Sequence, residues 1–267
     1  KNHDAGAAYA ENMLYQCQGD VSWPSPSAVA AVLPGMRESA VASGRHGTSR
    51  RGWPLSDTRY ISTRGEAPEL GFEDVVLAGL ARDGGLYVSA VWPHFERDEI
   101  AGFAGRPFHE IAAAVIAPFA SGAFTREELT GLARDAYSGF GHTAVTPIAQ
   151  LTPHRFVLEL FHGPTLAFKD VAMQFLSRLM DRILAARSAR ATIVCATSGD
   201  TGGAAVEAFR GAHNVDIVVL FPEGRVSDVQ RRMMTTPDED NVHALSIRGT
   251  FDDCQALVKA MFNDLAF

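Results

Sequence analysis

Between Arg155 and Phe267 short apolar runs alternate with longer amphipathic stretches, and this alternation narrows the fold more than any other feature of the chain. The apolar runs are Arg155–Phe161, 191–197, 215–221 and 242–248; Val215-Asp216-Ile217-Val218-Val219-Leu220-Phe221 is typical of them. A strand wetted on one face alternates apolar and polar residues, whereas a near-continuous apolar strand needs cover on both faces. Helices are expected between the runs, at 170–187, 203–211, 226–235 and 251–265. The first of these puts Val171, Phe175, Leu176, Leu179, Ile183 and Leu184 on one side, and the last opens on the capping sequence Thr250-Phe251-Asp252-Asp253. Such a series predicts an α/β fold: an open, mostly parallel sheet with helices on both faces.

Upstream the pattern is looser. Arg59–Thr63 and Leu86–Val88 read as short strands, and Phe72, Val75, Val76, Leu77, Leu80 and Ala81 form a helical stripe that stops at Gly84-Gly85. Helices are expected at 108–120 and 125–138, the second opened by the capping box Thr125-Arg126-Glu127-Glu128. Residues 1–57 are rich in Gly, Ser, Pro and Arg and hold no sustained period, apart from a short helix around Tyr9–Tyr15. So little apolar surface does not offset the entropy of ordering, and the segment reads as an irregular, disordered leader. The expected division is therefore 1–57, an N-terminal domain at 58–145, and an α/β domain at 146–267.

Bulk properties exclude several functions. A net charge of −7 argues against nucleic acid as the main partner, because binding a phosphate backbone needs a basic surface. No apolar run reaches the eighteen or so residues of a membrane span. The three cysteines, Cys17, Cys195 and Cys254, are odd in number and have no CxxC spacing, which points to a reducing, cytoplasmic compartment. No HxxxH or HExxH pair suggests a metal, and no GxSxG elbow suggests a serine hydrolase. Arg225, Arg231 and Arg232 could help to hold an anion, although a solvated helix face is the commoner explanation of such a group.

Two segments carry chemistry. In Phe161-His162-Gly163-Pro164-Thr165-Leu166-Ala167-Phe168-Lys169-Asp170 a lysine follows a glycine-proline turn, lies at the edge of an apolar run and precedes a helix. Desolvation disfavours the ammonium, and the neutral amine is the form that condenses with an aldehyde, so Lys169 is a candidate Schiff-base residue. The alternative is a snorkelling lysine with a buried stem. The second segment, Thr197-Ser198-Gly199-Asp200-Thr201-Gly202-Gly203, lies between an apolar run and a helix start. Glycines there permit a sharp turn and close approach of a ligand, and amides at a helix start suit an anion. An ordinary turn with Ser198 or Thr201 as N-cap explains the composition equally well.

Taken together, the lysine decapeptide and Ala196–Ala205 resemble threonine synthases of the branch found in many bacteria and fungi. Tyr60-Ile61-Ser62-Thr63-Arg64-Gly65 and Asp83-Gly84-Gly85-Leu86-Tyr87-Val88 resemble the opening of that family, and the likeness runs from about Arg59 to Phe267. It implies the two-lobed fold of the tryptophan-synthase β-like enzymes, with pyridoxal 5'-phosphate as cofactor and O-phospho-L-homoserine as the small-molecule substrate. Lys169 would carry the cofactor, be displaced by substrate, and then serve as general base at Cα and Cβ while phosphate leaves and water adds, giving threonine. Asp200 would lie beside the cofactor ring, and Ser198, Gly199 and Thr201 would bind the substrate carboxylate.

Three departures accompany the likeness. Ser89 stands where the family usually has proline. The chain ends at Phe267 inside an expected helix, as a truncated chain would. The family's loop for the cofactor phosphate and its residue facing the ring nitrogen do not occur before that point, so the fragment by itself is expected to have poor or absent activity. The alternatives are another lyase of the same fold, such as a serine/threonine dehydratase, whose lysine motif is shorter and differently spaced, and a non-catalytic truncated domain.

Overall fold

The computed structural model describes residues 58–263; the expected irregular leader and its short helix at Tyr9–Tyr15 lie outside the described residues. The described chain divides into two compact units. One comprises residues up to His94 together with Pro118–Ala123, and the other Phe95–Ala117 with the chain from Phe124 onward. The expected boundary at 145/146 therefore falls inside the second unit. No described helix is long and apolar enough to cross a membrane.

The second unit contains helices α2 (Arg97–Ala101), α3 (Phe108–Ile116) and α4 (Arg126–Tyr137), a hairpin of β3 (Ile148–Thr152) and β4 (Arg155–Leu158), and then α5 (Asp170–Arg187), β5 (Ala191–Ala196), α6 (Asp200–Phe209), β6 (Val215–Pro222), α7 (Asp228–Thr235), β7 (Val242–Ile247) and α8 (Phe251–Asn263). The last three strands form a parallel sheet in the order β5-β6-β7, with Ile193 beside Ile217 and Val219 beside Ala244. Residues that point to opposite faces of β6, such as Val219 and Leu220, are both buried, so this strand is covered on both sides. Helices α6, with Ala204, Val206 and Phe209 buried, and α8 pack against it, and Phe175, Leu179, Ile183 and Leu184 of α5, which packs on α6, are buried as well. Each large apolar side chain buried there stabilises the fold by about 1.5–3 kcal/mol.

Two caps follow the sequence reading. Thr125 Oγ1 accepts from the Glu128 amide at 3.2 Å while the Thr125 amide donates to Glu128 Oε2 at 2.9 Å. Thr250 and Asp253 repeat this exchange at the start of α8. The run at 155–161 differs from expectation. Its ordered part, β4, pairs antiparallel with β3 and stands outside the parallel sheet. Only Pro153 and His154 separate the two strands, and a parallel crossover needs a dozen residues or more. Phe156 and Leu158 are more than half exposed, so apolar composition alone misreports this strand as one of the covered series. The helix expected at 203–211 begins three residues earlier, at Asp200.

In the first unit β1 (Tyr60–Ser62) pairs antiparallel with β2 (Tyr87–Ser89), and α1 (Phe72–Ala78) lies between them in sequence. One carboxylate binds this connection together. Asp83 Oδ1 accepts from the Gly85 amide at 2.9 Å and the Ser62 hydroxyl at 2.8 Å, and Oδ2 accepts from the amides of Glu66 and Ala67, both at 3.0 Å. Gly85 packs against the Ser62 hydroxyl with no room for a side chain. Partial desolvation pushes the Asp83 carboxyl up, but the hydrogen bonds from Gly85, Ser62, Glu66 and Ala67 outweigh it and hold the group below its usual value. A depressed acid contributes stability above its unfolded pKa of about 3.9 and loses it as pH falls through the lower folded value. Asp83→Asn is therefore expected to speed amide exchange at Glu66, Ala67 and Gly85 at neutral pH. It is also expected to remove part of the acid-induced loosening that the unaltered chain shows below about pH 4; equal exchange in both proteins would contradict this role.

Candidate active site

The lysine decapeptide folds as a braced turn that delivers Lys169 to the start of α5. Asp170, fully buried, accepts from the Thr165 amide at 2.8 Å and the Thr165 hydroxyl at 2.7 Å. Burial pushes its carboxyl up, opposed by hydrogen bonds from the Thr165 side chain and amide. A Cβ on Gly163 would run into the Asp170 side chain, so only glycine allows this approach. Leu166 sits at φ 63°, a left-handed conformation that costs a non-glycine residue on the order of 1–3 kcal/mol. Its amide donates to the Gly163 carbonyl at 3.1 Å, which closes the turn. Two further contacts hold the ends of the segment. His162 Nε2 lies 2.8 Å from Glu159 Oε2, and the Tyr137 hydroxyl donates to the Val171 carbonyl at 3.1 Å.

On the other segment, Thr197 continues β5 by donating its amide to the Leu220 carbonyl at 2.9 Å. Its side chain is only 1% exposed, and its Oγ1 accepts from the amides of both Gly199 (3.0 Å) and Gly202 (2.8 Å). That double contact bends the chain from strand to helix within three residues. Gly199, just before α6, has φ 147°, which disfavours any side chain, and a Cβ on Gly202 would lie 2.7 Å from Met234 Sδ and 2.9 Å from Val219 Cγ1. Both glycines are required by close packing as well as by the turn.

The two segments meet. Lys169 Nζ lies 2.6 Å from Asp200 Oδ2 and 4.4 Å from the centroid of the Phe168 ring. The lysine side chain is 7% exposed, whereas Asp200 keeps 44% exposure. The other carboxylate oxygen of Asp200 accepts from the Thr201 amide at 2.9 Å. One acid thus joins the amine to the first turn of α6, at the carboxyl end of the parallel strands where open α/β sheets bind ligands. A buried primary amine with a movable carboxylate partner can exchange protons and can attack a carbonyl once the pair separates.

Of the residues singled out from sequence, the structure brings Lys169 and Asp200 into direct contact and sets Gly199 and Thr201 on either side of that acid. Ser198 is solvent-exposed on the same loop. The amides of Gly199, Gly202 and Thr201 all donate within the protein, the first two to the buried Thr197 hydroxyl and the third to the part-exposed carboxylate of Asp200. Asp170, Thr197 and Gln230 are the participants that sequence reasoning did not single out. Asp170 was signalled only by its adjacency to Lys169, and Thr197 only by the small residues after it. Gln230 lies in another crossover and left no local signal.

Comparison with known proteins sets this geometry beside a characterised group. Residues 59–137 match the family model described as "Threonine synthase N terminus". Over 209 residues the chain is 54% identical to the threonine synthase of Pseudomonas aeruginosa, a match spanning 78% of this chain and 45% of the relative. The threonine synthase of Schizosaccharomyces pombe is 42% identical over 221 residues, spanning 79% and 43%. Among solved structures, the PLP-bound threonine synthase of Brucella melitensis superposes with a TM-score of 0.75 at 59% identity, covering 78% of this chain and 45% of that one. The Escherichia coli threonine synthase gives 0.67 at 33% identity, covering 78% and 47%. The chain thus spans less than half the length of the relatives it matches.

Thr197→Val keeps the shape of the side chain but removes the acceptor for two buried amides. We expect it to destabilise the second unit by about 1–3 kcal/mol in urea denaturation and to speed exchange at Gly199 and Gly202. Thr197→Ser, which restores the oxygen, should recover most of the loss. Gly202→Ala should cost about 1–3 kcal/mol by overpacking.

Proposed function

We propose that this chain, whose described part is similar to the N-terminal half of threonine synthases, serves the pyridoxal-phosphate-dependent conversion of O-phospho-L-homoserine and water to L-threonine and phosphate. The observation that carries the proposal is the buried amine of Lys169 held 2.6 Å from Asp200 at the carboxyl end of the sheet. The donor set fits the cofactor: a primary amine for its aldehyde, an acid beside that amine, and the Phe168 ring against it. Pyridoxal phosphate, when bound, supplies an electron sink for negative charge developing on the substrate.

The remaining work falls to side chains. Lys169 Nζ is the group that removes and returns protons at substrate carbons, and its burial limits competition from water. Asp200 receives the ammonium whenever the amine is free and protonated, which keeps Lys169 aimed at the start of α6. The Thr201 amide, engaged by Asp200 alone in this state, is the loop donor that a substrate carboxylate can take over. Ser198 adds an exposed hydroxyl. Loss of phosphate and addition of water at Cβ then give the product. A cytoplasmic location, where thiols such as Cys195 and Cys254 stay reduced, belongs to the same proposal.

The test is spectroscopic and then kinetic. Addition of pyridoxal phosphate should produce an absorption band at about 415 nm, absent in Lys169→Ala, because that band reports the cofactor joined to an amine. Phosphate release from O-phospho-L-homoserine should exceed ammonia release from threonine or serine, and Asp200→Ala should lower it by about 10²-fold or more. A folded protein with no such band would overturn the catalytic reading in favour of a non-catalytic domain, and faster ammonia release would favour a dehydratase.

A further inference from the structure

Gln230 lies in the first turn of α7, in the crossover after β6, yet its side chain reaches the loop after β5. A Cβ built on Gly199 would lie 3.0 Å from Gln230 Nε2 and closer still to its Oε1 and Cδ. The Gln230 amide group therefore fills the space beside Gly199 where any other residue would carry a side chain. Gln230 is itself fixed: the Ser227 hydroxyl donates to its Oε1 at 2.9 Å, and its backbone amide donates to Ser227 Oγ at 3.4 Å. Gly199 is thus gripped from two directions, by Thr197 Oγ1 through its amide and by Gln230 through van der Waals contact.

We propose that Gln230 is a positioning residue for the Ser198–Thr201 loop, seating Gly199 so that Asp200 and the Thr201 amide are presented toward Lys169. It acts through Gly199, by denying that residue other conformations. The physical basis is the unusual backbone of Gly199. A glycine at φ 147° has many neighbouring conformations open to it; its amide donates to Thr197 Oγ1 and its carbonyl accepts from the Gly203 amide at 3.0 Å, but neither bond fills the space beside its Cα. Packing from the α7 side removes that freedom. Two neighbouring crossovers of the parallel sheet are thereby linked at its carboxyl end, and the shape of one loop depends on the start of a helix in the other.

The identity of the ligand rests on the threonine synthase proposal, whereas the seating of the loop does not, and two measurements on the full chain keep them apart. The first is amide exchange without cofactor: Gln230→Ala should speed exchange in the segment spanning Gly199–Gly202. The second is titration of the chain loaded with pyridoxal phosphate with O-phospho-L-homoserine, followed through the visible band. Here Gln230→Ala should leave the band at full amplitude but weaken substrate binding by about tenfold or more, the scale expected for a misplaced binding group. Gln230→Met, which refills the seat without the amide, should recover much of the affinity. Ser227→Ala, which removes one tether of Gln230 but leaves its side chain to fill the seat, should cost clearly less than Gln230→Ala. Unchanged exchange and unchanged affinity in Gln230→Ala would overturn the proposal, as would an equal loss in Ser227→Ala, which would reduce Gln230 to a cap partner. If the unaltered chain shows no response to substrate while exchange still depends on Gln230, the threonine synthase proposal fails and the seat stands.

Discussion

The contact between Lys169 and Asp200 is the constraint around which the second unit is arranged. The two residues are 31 positions apart, and neither can be placed without a rigid element behind it. Lys169 is delivered by the turn that opens α5, and Asp200 by the first turn of α6. Those helices flank β5, whose register against β6 runs without interruption from Ala191 beside Val215 to Ala196 beside Leu220. A slip of one residue in that pairing would turn every side chain of β5 to the opposite face and carry Thr197 and Asp200 with it. Burial of Val215, Ile217 and Val219 therefore does more than stabilise a core: it fixes where the acid meets the amine.

The parallel strands were legible unequally. The run 215–221 is apolar at nearly every position, as a strand covered on both faces has to be, and 191–197 nearly so. The run 242–248 carries His243, Ser246 and Arg248, has no buried residue in its strand, and was legible only from its place in the alternating series. The lysine and its loop were legible because a desolvated amine and a glycine-rich strand-to-helix turn are rare side by side. The hairpin β3–β4 was not legible. Its apolar residues copy the composition of a buried strand, and only the brevity of the Thr152–Arg155 connection reveals the antiparallel pairing. Gln230 was invisible for a different reason: its role is a contact across crossovers, which no local period or motif encodes. The Asp83 cluster falls between these cases. Both of its sequence segments stand out, but the carboxylate that joins them is evident only once four donors converge on it.

Several positions in the site are defined by atoms that are missing. Gly163 lets Asp170 approach the chain, Gly199 admits Gln230, and Gly202 lets α6 settle onto Thr197, Val219 and Met234. Glycine costs conformational entropy on folding, so each of these contacts must return more than that loss. The return is precision at the loop: with Thr197 Oγ1 accepting from two amides and the glycines packed against neighbours, the strand-to-helix turn has little freedom left. An amine and an acid can be kept at hydrogen-bond distance only when the backbone on both sides is held in this way.

The two acids of the site divide the labour by their exposure. Asp170 is fully buried and both of its oxygens are committed to Thr165, so exchanging its partners would leave a desolvated carboxylate unsatisfied. It can serve only as scaffold, bracing the turn in which Leu166 holds its unfavourable backbone. Asp200 keeps 44% exposure, with one oxygen on Lys169 and the other on the Thr201 amide. Water can reach Asp200 and replace its partners, whereas Lys169, at 7% exposure, gives up its counter-charge cheaply only when it is neutral or a ligand takes the place of the acid. The site thus combines a fixed floor with a movable counter-charge. That is the arrangement an amine needs if it is to stay aimed while free and yet be released when a ligand competes for it.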